Sequence, residues 1–215
     1  MAETQTLKTL QRVIFPSAVE TDVVPLYVDA GVAAGVQLPT RIDGDATTSI
    51  TEAAQIQEQS AANIAANRTA AEGLIGRRSI NVNPGQSLSF GTYFNAFPAS
   101  YWRRWTDLKE VVLSVQTRGE GMVIVYKSNG RGVIQRVDAK LLSGDETSIF
   151  TLPLAPFGDG GWYWFDLSGT EDLELVEANW LGNIEPRADV QSGQATVQIT
   201  TMNKVDYCID NIRTL

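Results

Sequence analysis

Two blocks hold most of the side chains that could do chemistry. The first, FGTYFNAFPASYWRRWT (90–106), carries seven of the chain's 18 aromatic residues around two adjacent arginines, Arg103 and Arg104. The second, PFGDGGWYWFD (156–166), contains Trp162 and Trp164. Exposed indoles stack on the apolar faces of sugar rings while polar neighbours bond the hydroxyls. Trp102, Arg103, Arg104, Trp105, Trp162 and Trp164 are therefore a candidate carbohydrate contact. The same residue types are enriched where proteins meet proteins, and large aromatics are usually mostly buried. Sugar platform, subunit contact and core remain three open readings. A third candidate, Asp43-Gly44-Asp45, has the spacing of an Asp-x-Asp metal motif. That motif needs a buried strand ahead of it to aim both carboxylates. Here only Ile42 precedes, with Pro39 close by, so the pair reads as a solvated loop.

Composition removes several classes of function. The 215 residues contain no histidine, which excludes histidine-based metal sites and any Ser-His or Cys-His nucleophile pair from these residues. The single cysteine, Cys208, cannot form an internal disulfide and suits a reducing compartment. A net charge of −8 argues against a phosphate-tracking nucleic-acid binder, which needs clustered Lys and Arg. No run approaches 18 apolar residues, and MAETQTLKTLQRV lacks the apolar core of a signal peptide. A cytoplasmic chain is the default, with peripheral attachment at the inner face of the plasma membrane left open.

The elements that must position these residues follow from the pattern. LQRVIFP and DVVPLYV read as an N-terminal arm with one or two short edge strands held extended by Pro16 and Pro25, with Leu26, Tyr27 and Val28 in the core. Residues 50–74 are rich in Ala, Gln and Glu and predict a helix, capped by Thr48 or Ser49 with Glu52 completing a capping box, and stopped by Gly73 and Gly76. Its apolar face is mostly alanine, as in an exposed insertion or a helix packed on a partner chain. From Arg77 the period changes to two. Seven or eight short strands spaced by turn residues are predicted between Arg77 and Trp180, among them DLKEVVLSVQT, MVIVYK, GVIQRV, ETSIFTLPL, GDGGWYWFDLSG and DLELVEANW. Asn129-Gly130 between apolar runs marks a hairpin. Pro98 rules out a helix through the first aromatic block, leaving one helical turn over Ala99–Trp105. Phe94 and Phe97 are expected to seal the core while Trp102–Trp105 face outward. In WYWF either Trp162 with Trp164, or Tyr163 with Phe165, must point away from the core.

The predicted class is mainly β: an antiparallel jelly-roll-like sandwich with an Ala/Gln-rich helical insert. ATVQITT (195–201) then reads as a strand and 205–215 as a helix, the first βα unit of a truncated α/β domain. The expected divisions are an arm (1–40), the insert (41–76), the sandwich (77–182, with the arm), a linker (183–193) and the start of the second domain (194–215).

YFNAFPASYWRRWT (93–106) and PFGDGGWYWFD (156–166) resemble segments near the N-terminus of the mycobacterial-type, galactan-polymerising galactofuranosyltransferases of glycosyltransferase family 2. LQRVIFP and DVVPLYV are similar to that family's opening segment. TMNKVDYCIDNIRTL resembles the start of its GT-A domain. The Ala/Gln-rich stretch, about 40–75, falls outside the resemblance. The resemblance implies an N-terminal β-sandwich ahead of a GT-A catalytic domain in an oligomer. That enzyme transfers galactofuranose from UDP-galactofuranose to lipid-linked galactan, with Mg or Mn held by an Asp-x-Asp motif. It also implies that metal motif and catalytic base lie beyond residue 215, so this chain holds no catalytic residue and no cofactor of its own. Its partners would be its own catalytic domain, neighbouring subunits and the galactan acceptor. Thr201 matches the threonine beside the uridine. Lys204 stands where the family has arginine, keeping the charge but losing the planar fork, and Val205 stands where it has proline. Read without the resemblance, Thr201 and Lys204 are an ordinary turn and cap. The expected function is an accessory domain supporting acceptor binding or assembly. The alternatives are a stand-alone carbohydrate-binding module and a purely structural oligomerisation domain.

Overall fold

The structure, a computed structural model, describes residues 7–16, 21–30, 65, 68–184 and 209. The chain divides into two compact units, Met1–Ile184 and Glu185–Leu215. All described residues except Ile209, which is helical and exposed, belong to the first. Asp43, Asp45, Thr201, Lys204 and Cys208 lie outside the described residues, as do the predicted strand at 195–201 and most of the predicted helix at 50–74. Of that helix, 65 and 68–72 are helical, and it stops at Gly73 as expected. The Gly73 N–H closes on the Thr69 and Ala70 carbonyls.

The mainly β, antiparallel class is borne out. The strands are β1 (Lys8–Arg12), β2 (Ile80–Val82), β3 (Ser87–Ser89), β4 (Glu110–Ser128), β5 (Ile134–Leu142), β6 (Asp145–Pro153) and β7 (Tyr163–Gly182), with one helix, α1 (Ala99–Trp105), between β3 and β4. All seven strands share one antiparallel sheet. Its centre is β4 paired with β7 along nearly their whole lengths. β5 and β6 take the other edge of β4, β5 over its C-terminal half and β6 over its N-terminal half. β1, β2 and β3 take the other edge of β7.

Two predicted pairs of short strands are therefore single long ones. DLKEVVLSVQT and MVIVYK are both β4, and WYWFDLSG and DLELVEANW are both β7. The glycines between them, which read as turns, sit at register breaks within the ladder, between Gly119 and Gly121 of β4. Glycine inside a strand marks a bulge or a close backbone approach as often as an end. The Asn129 hairpin is as predicted: its Oδ1 accepts the N–H groups of Arg131 at 2.9 Å and Val133 at 3.0 Å, and β4 turns into β5.

Val111, Leu113, Val115, Val123 and Val125 of β4 and Phe165, Leu167, Leu175, Ala178 and Trp180 of β7 bury one face around a single core. The N-terminal arm closes it with Val13, Phe15, Val24 and Val28. DVVPLYV is not a strand, however. Thr21–Leu26 is a 3₁₀ turn containing Pro25, and Leu26 is exposed rather than core. Proline's fixed φ serves either conformation, so its presence could not separate them.

Candidate functional site

The aromatic block begins where β3 ends. The Phe90 N–H donates to the Phe165 carbonyl, and the Phe90 ring stacks on Phe165 at 4.4 Å. The connection is then fixed by polar groups, not rings. Asn95, fully buried, accepts the Ile14 N–H at 3.0 Å and donates to the carbonyls of Ile14 (2.9 Å) and Tyr27 (2.6 Å). Gln11 donates to the carbonyls of Phe94 and Ala96. Phe97 forms a two-way backbone bridge with Tyr163, and the Ser100 N–H donates to the Gly161 carbonyl. The start of α1 is thereby tied to the segment carrying Trp162, so both tryptophan-bearing blocks meet at one corner of the sheet.

α1 is short and has no side-chain N-cap; Pro98 stands at that position and Thr106 closes the other end. Ala99 is buried, and Trp102 leans on Phe97, 6.0 Å between ring centres with planes 6° apart. Phe97 stacks on Trp180 at 5.0 Å, and Trp180 on Tyr163 at 6.4 Å. The inner face of α1 is thus moored to an aromatic column through the core. The outer face shows Tyr101 (56% exposed) and Trp105 (66%), spaced i, i+4, with the Arg104 guanidinium 5.1 Å from the Trp105 ring centre. Arg103 lies toward Gly158, where a Cβ would come within 3.7 Å of its Nη1. Neither arginine has a carboxylate partner among the described residues.

The six tryptophan and arginine candidates separate accordingly. Trp105, Arg103, Arg104 and Trp162 are exposed. Trp102 is half-buried, packed between core and surface. Trp164 points away from the core with Trp162, as one of the two alternations required, while Tyr163 and Phe165 are buried. Trp164 offers no free platform: its indole stacks on Tyr126 at 5.7 Å and lies against Gly91, where a Cβ would sit 3.0 Å from the ring. Phe97 seals the core as expected, but Phe94 does not; it is partly exposed, stacked on Tyr27 at 4.5 Å, next to an 80% exposed Tyr93. The composition did not distinguish Tyr101 from its neighbours, although its spacing from Trp105 could have.

Next to Trp164 the structure holds a carboxyl that the sequence did not mark. Asp166, on the outward face of β7 between Ser89 of β3 and Ile124 of β4, has one oxygen buried without a hydrogen-bond partner. Burial pushes its carboxyl up to about 6; Asp29 adds to the rise, and a hydrogen bond from Ser89 opposes it. The Tyr126 hydroxyl is raised too, by burial and by Asp166, against Arg136. A carboxyl whose folded value lies above the unfolded one, about 3.9, favours folding while protonated. Its share is therefore present below about pH 4 and is lost as pH rises through about 6, on the order of 2 kcal/mol. Asp166→Asn is expected to remove this fall. Chemical denaturation at steps from pH 4 to 8 should show the variant gaining on the parent as pH rises; parallel curves would refute the assignment.

Among the described residues no group of three or more metal-binding side chains comes together, and no helix is long and apolar enough to cross a membrane.

Comparison with known proteins places this corner in context. The sequence model of the family described as galactofuranosyltransferase 2 N-terminal matches residues 50–183. It takes in both aromatic blocks and most of the Ala/Gln-rich stretch, which the motif resemblance had left out. The galactofuranosyltransferase GlfT2 of Mycolicibacterium smegmatis is 37% identical over 145 residues, 65% of this chain and 22% of that protein. GlfT2 of Mycobacterium tuberculosis is 37% identical over 143 residues, again 65% of this chain and 22% of that protein. The chain thus aligns with about a fifth of the length of either relative. With the family match covering more than half of its residues, the chain belongs to the galactofuranosyltransferase 2 N-terminal family.

Proposed function

We infer that the chain is the accessory N-terminal domain of a galactofuranosyltransferase that extends cell-wall galactan from UDP-galactofuranose, and that its aromatic corner is a contact surface rather than a catalytic site. The observation that carries this reading is α1. Its inner face is locked to the core by Trp102 and Phe97, while Tyr101, Arg104 and Trp105 stand in solvent on a rigid support. Exposed aromatics paired with arginine suit a protein surface at least as well as a neutral sugar. The partner we favour is the enzyme's own catalytic domain or a neighbouring subunit. The galactan acceptor is the second reading, favoured by the exposed indoles of Trp105 and Trp162.

The remaining parts of the proposal extend the same reading. The long strands wrap one core from both halves of a single face, which supports a jelly-roll-like sandwich. Residues 194–215 begin a GT-A domain, with Thr201 and Lys204 beside the uridine. Mg or Mn, UDP-galactofuranose and the catalytic base belong to the longer enzyme, which works in the cytoplasm at the inner face of the membrane. Transfer there would invert the sugar: a general base of the longer enzyme would take the proton of the acceptor hydroxyl, and a metal held by its Asp-x-Asp motif would supply Lewis-acid stabilisation of the UDP leaving group.

The chain alone should transfer no sugar when incubated with UDP-galactofuranose and an acceptor; robust transfer would sink the accessory reading. The choice of partner is tested by Trp105→Ala with Arg104→Ala. Both side chains are exposed, so stability should change by less than about 0.5 kcal/mol. Association with the separately supplied catalytic domain should weaken at least about tenfold, the loss expected for a central aromatic and its arginine. Tryptophan fluorescence that shifts with galactan oligosaccharides in the parent chain and not in the variant would transfer the surface to the acceptor.

A further inference from the structure

The core face of the sheet changes character along its length. Between β4 and β6 the directly opposed pairs on that face run Val111 with Leu152, Leu113 with Phe150, Val115 with Ser148 and Thr117 with Glu146. Opposed residues share a face, so the last two pairs carry three polar side chains into an otherwise apolar layer. Thr117 and Ser148 are fully buried. Their hydroxyl oxygens, and Oε1 of Glu146, have no hydrogen-bond partner among the described residues. A buried polar atom left so carries its whole desolvation cost, and three on neighbouring positions call for one common explanation. Glu146 faces two ways: its Oε2 meets the Lys140 ammonium at 3.3 Å, while Oε1 is buried.

Bulk follows the same gradient. β7 completes each row on the other side of β4, with Trp180 opposite Leu113, Ala178 opposite Val115 and Leu175 opposite Thr117. The row Trp180–Leu113–Phe150 is filled by two large rings. The next, Ala178–Val115–Ser148, holds the smallest side chains, so side-chain volume is least where the unpartnered oxygens collect. The spacing also suits one small molecule. Opposed residues have Cβ atoms about 4.5–5.5 Å apart and diagonal ones about 7–8 Å or less; Thr117 is opposed to Glu146 and diagonal to Ser148. Two oxygens bonded to one water, each at about 2.8 Å, lie about 4.5 Å apart, a separation these side chains can reach from both positions.

We propose that Thr117, Ser148 and Glu146 form an internal site for one water molecule, which ties β6 to β4 near the end of their ladder. The two hydroxyls donate to the water oxygen, and the water donates a proton to Glu146 Oε1. That makes three bonds, the usual number for a buried water, and gives each of the three oxygens a partner. A metal ion is the poorer occupant. One carboxylate oxygen and two neutral hydroxyls fall short of the six or more oxygens that calcium takes, and Lys140 already balances the carboxylate. The site lies beside the irregular stretch of β4: the ladder with β7 shifts between Gln116 and Thr117, and pairing with β6 stops at Arg118. The water holds β6 where the backbone bonds are about to run out. It makes no use of the aromatic corner and stands whatever that surface meets.

The sign of two substitutions tests this. Thr117→Val keeps the shape and removes the hydroxyl, and Ser148→Ala removes only the oxygen. Without a water each deletion relieves an unpaired buried group, and the variant would melt at or above the parent. With the water, each should lower the thermal midpoint by about 2–4 °C, the shift for one lost hydrogen bond in a chain of this length. Both losses fall on the same water, so the double variant should melt within about 1 °C of the worse single rather than at the sum. Crystallography of the 215-residue chain, at a resolution that orders internal solvent, reads the water itself. The parent should show one peak about 2.7–3.2 Å from all three oxygens, and the double variant should lack it. A single variant whose midpoint is unchanged or raised overturns the proposal. So do strictly additive losses, and so does a parent crystal structure with no water between the three oxygens.

Discussion

Asn95→Ala is expected to cost about 3–5 kcal/mol, since it leaves the Ile14 N–H and the carbonyls of Ile14 and Tyr27 buried without partners, each at about 1–3 kcal/mol less what relaxation recovers. That is a large part of what holds an ordinary domain together. The loss should be felt first where the amide acts. Asn95 is the point at which two separate stretches of the N-terminal arm, at Ile14 and Tyr27, meet the aromatic block, so its removal frees the arm and tilts the base of α1. Asn95→Asp serves as the control. It keeps an acceptor for the Ile14 N–H but faces two carbonyls with a carboxylate, so it should be no better than alanine. Urea titration followed by tryptophan emission checks both, because Trp102 and Trp180 report the corner and the core. An alanine variant within about 1 kcal/mol of the parent would mean water satisfies these groups and Asn95 is replaceable.

Asn95 also marks the limit of what the chain disclosed. Between two phenylalanines near a proline it reads as a turn residue, because nothing local says that its amide reaches positions some 70–80 residues away. The legible features are those with local causes. The Asn129 hairpin follows from side-chain chemistry within four residues, and α1 from what Pro98 forbids before it and allows after it. The two faces of Trp162–Phe165 follow from the alternation of a strand, which left only two possibilities. Which aromatics would be exposed was not local. Phe94 and Phe97 have the same chemistry three residues apart, but Phe97 bridges to Tyr163 while the Phe94 ring stacks on Tyr27 and meets the edge of Tyr93. Asp166 was hidden for the same reason. Its environment comes from Ser89 and Asp29 across two other segments. The division of β4 and β7 into short strands failed because a glycine that ends a strand and one that lets a strand continue past an obstacle look alike in sequence.

Gly119 is the second kind, and Gly119→Ala should be among the most damaging single-atom additions the chain can receive. Its φ is +107°, a conformation L side chains rarely adopt, and an added Cβ would sit 2.0 Å from the carbonyl oxygen of Asp172. The obstacle is β7 itself. Between Gly119 opposite Leu173 and Gly121 opposite Gly169 the partner strand makes an excursion through Thr170, Glu171 and Asp172, and β4 passes against its backbone. A backbone oxygen cannot swing aside as a side-chain tip can, so relief requires shifting one of the two longest strands. Strain and overpacking together put the cost above about 3 kcal/mol. The Gly119 N–H also donates to the Gly144 carbonyl at 2.9 Å, tying this crossing to the turn between β5 and β6, so displacement here would propagate to those strands. Gly144 supplies the comparison. Its φ is +72°, but nothing lies within 4 Å of an added Cβ, so Gly144→Ala should cost about 1–2 kcal/mol from backbone conformation alone. Thermal unfolding of the two variants side by side separates conformational strain from steric conflict. Equal losses would mean that β7 gives way at Asp172, and that the crossing does not hold the two halves of the sheet in register.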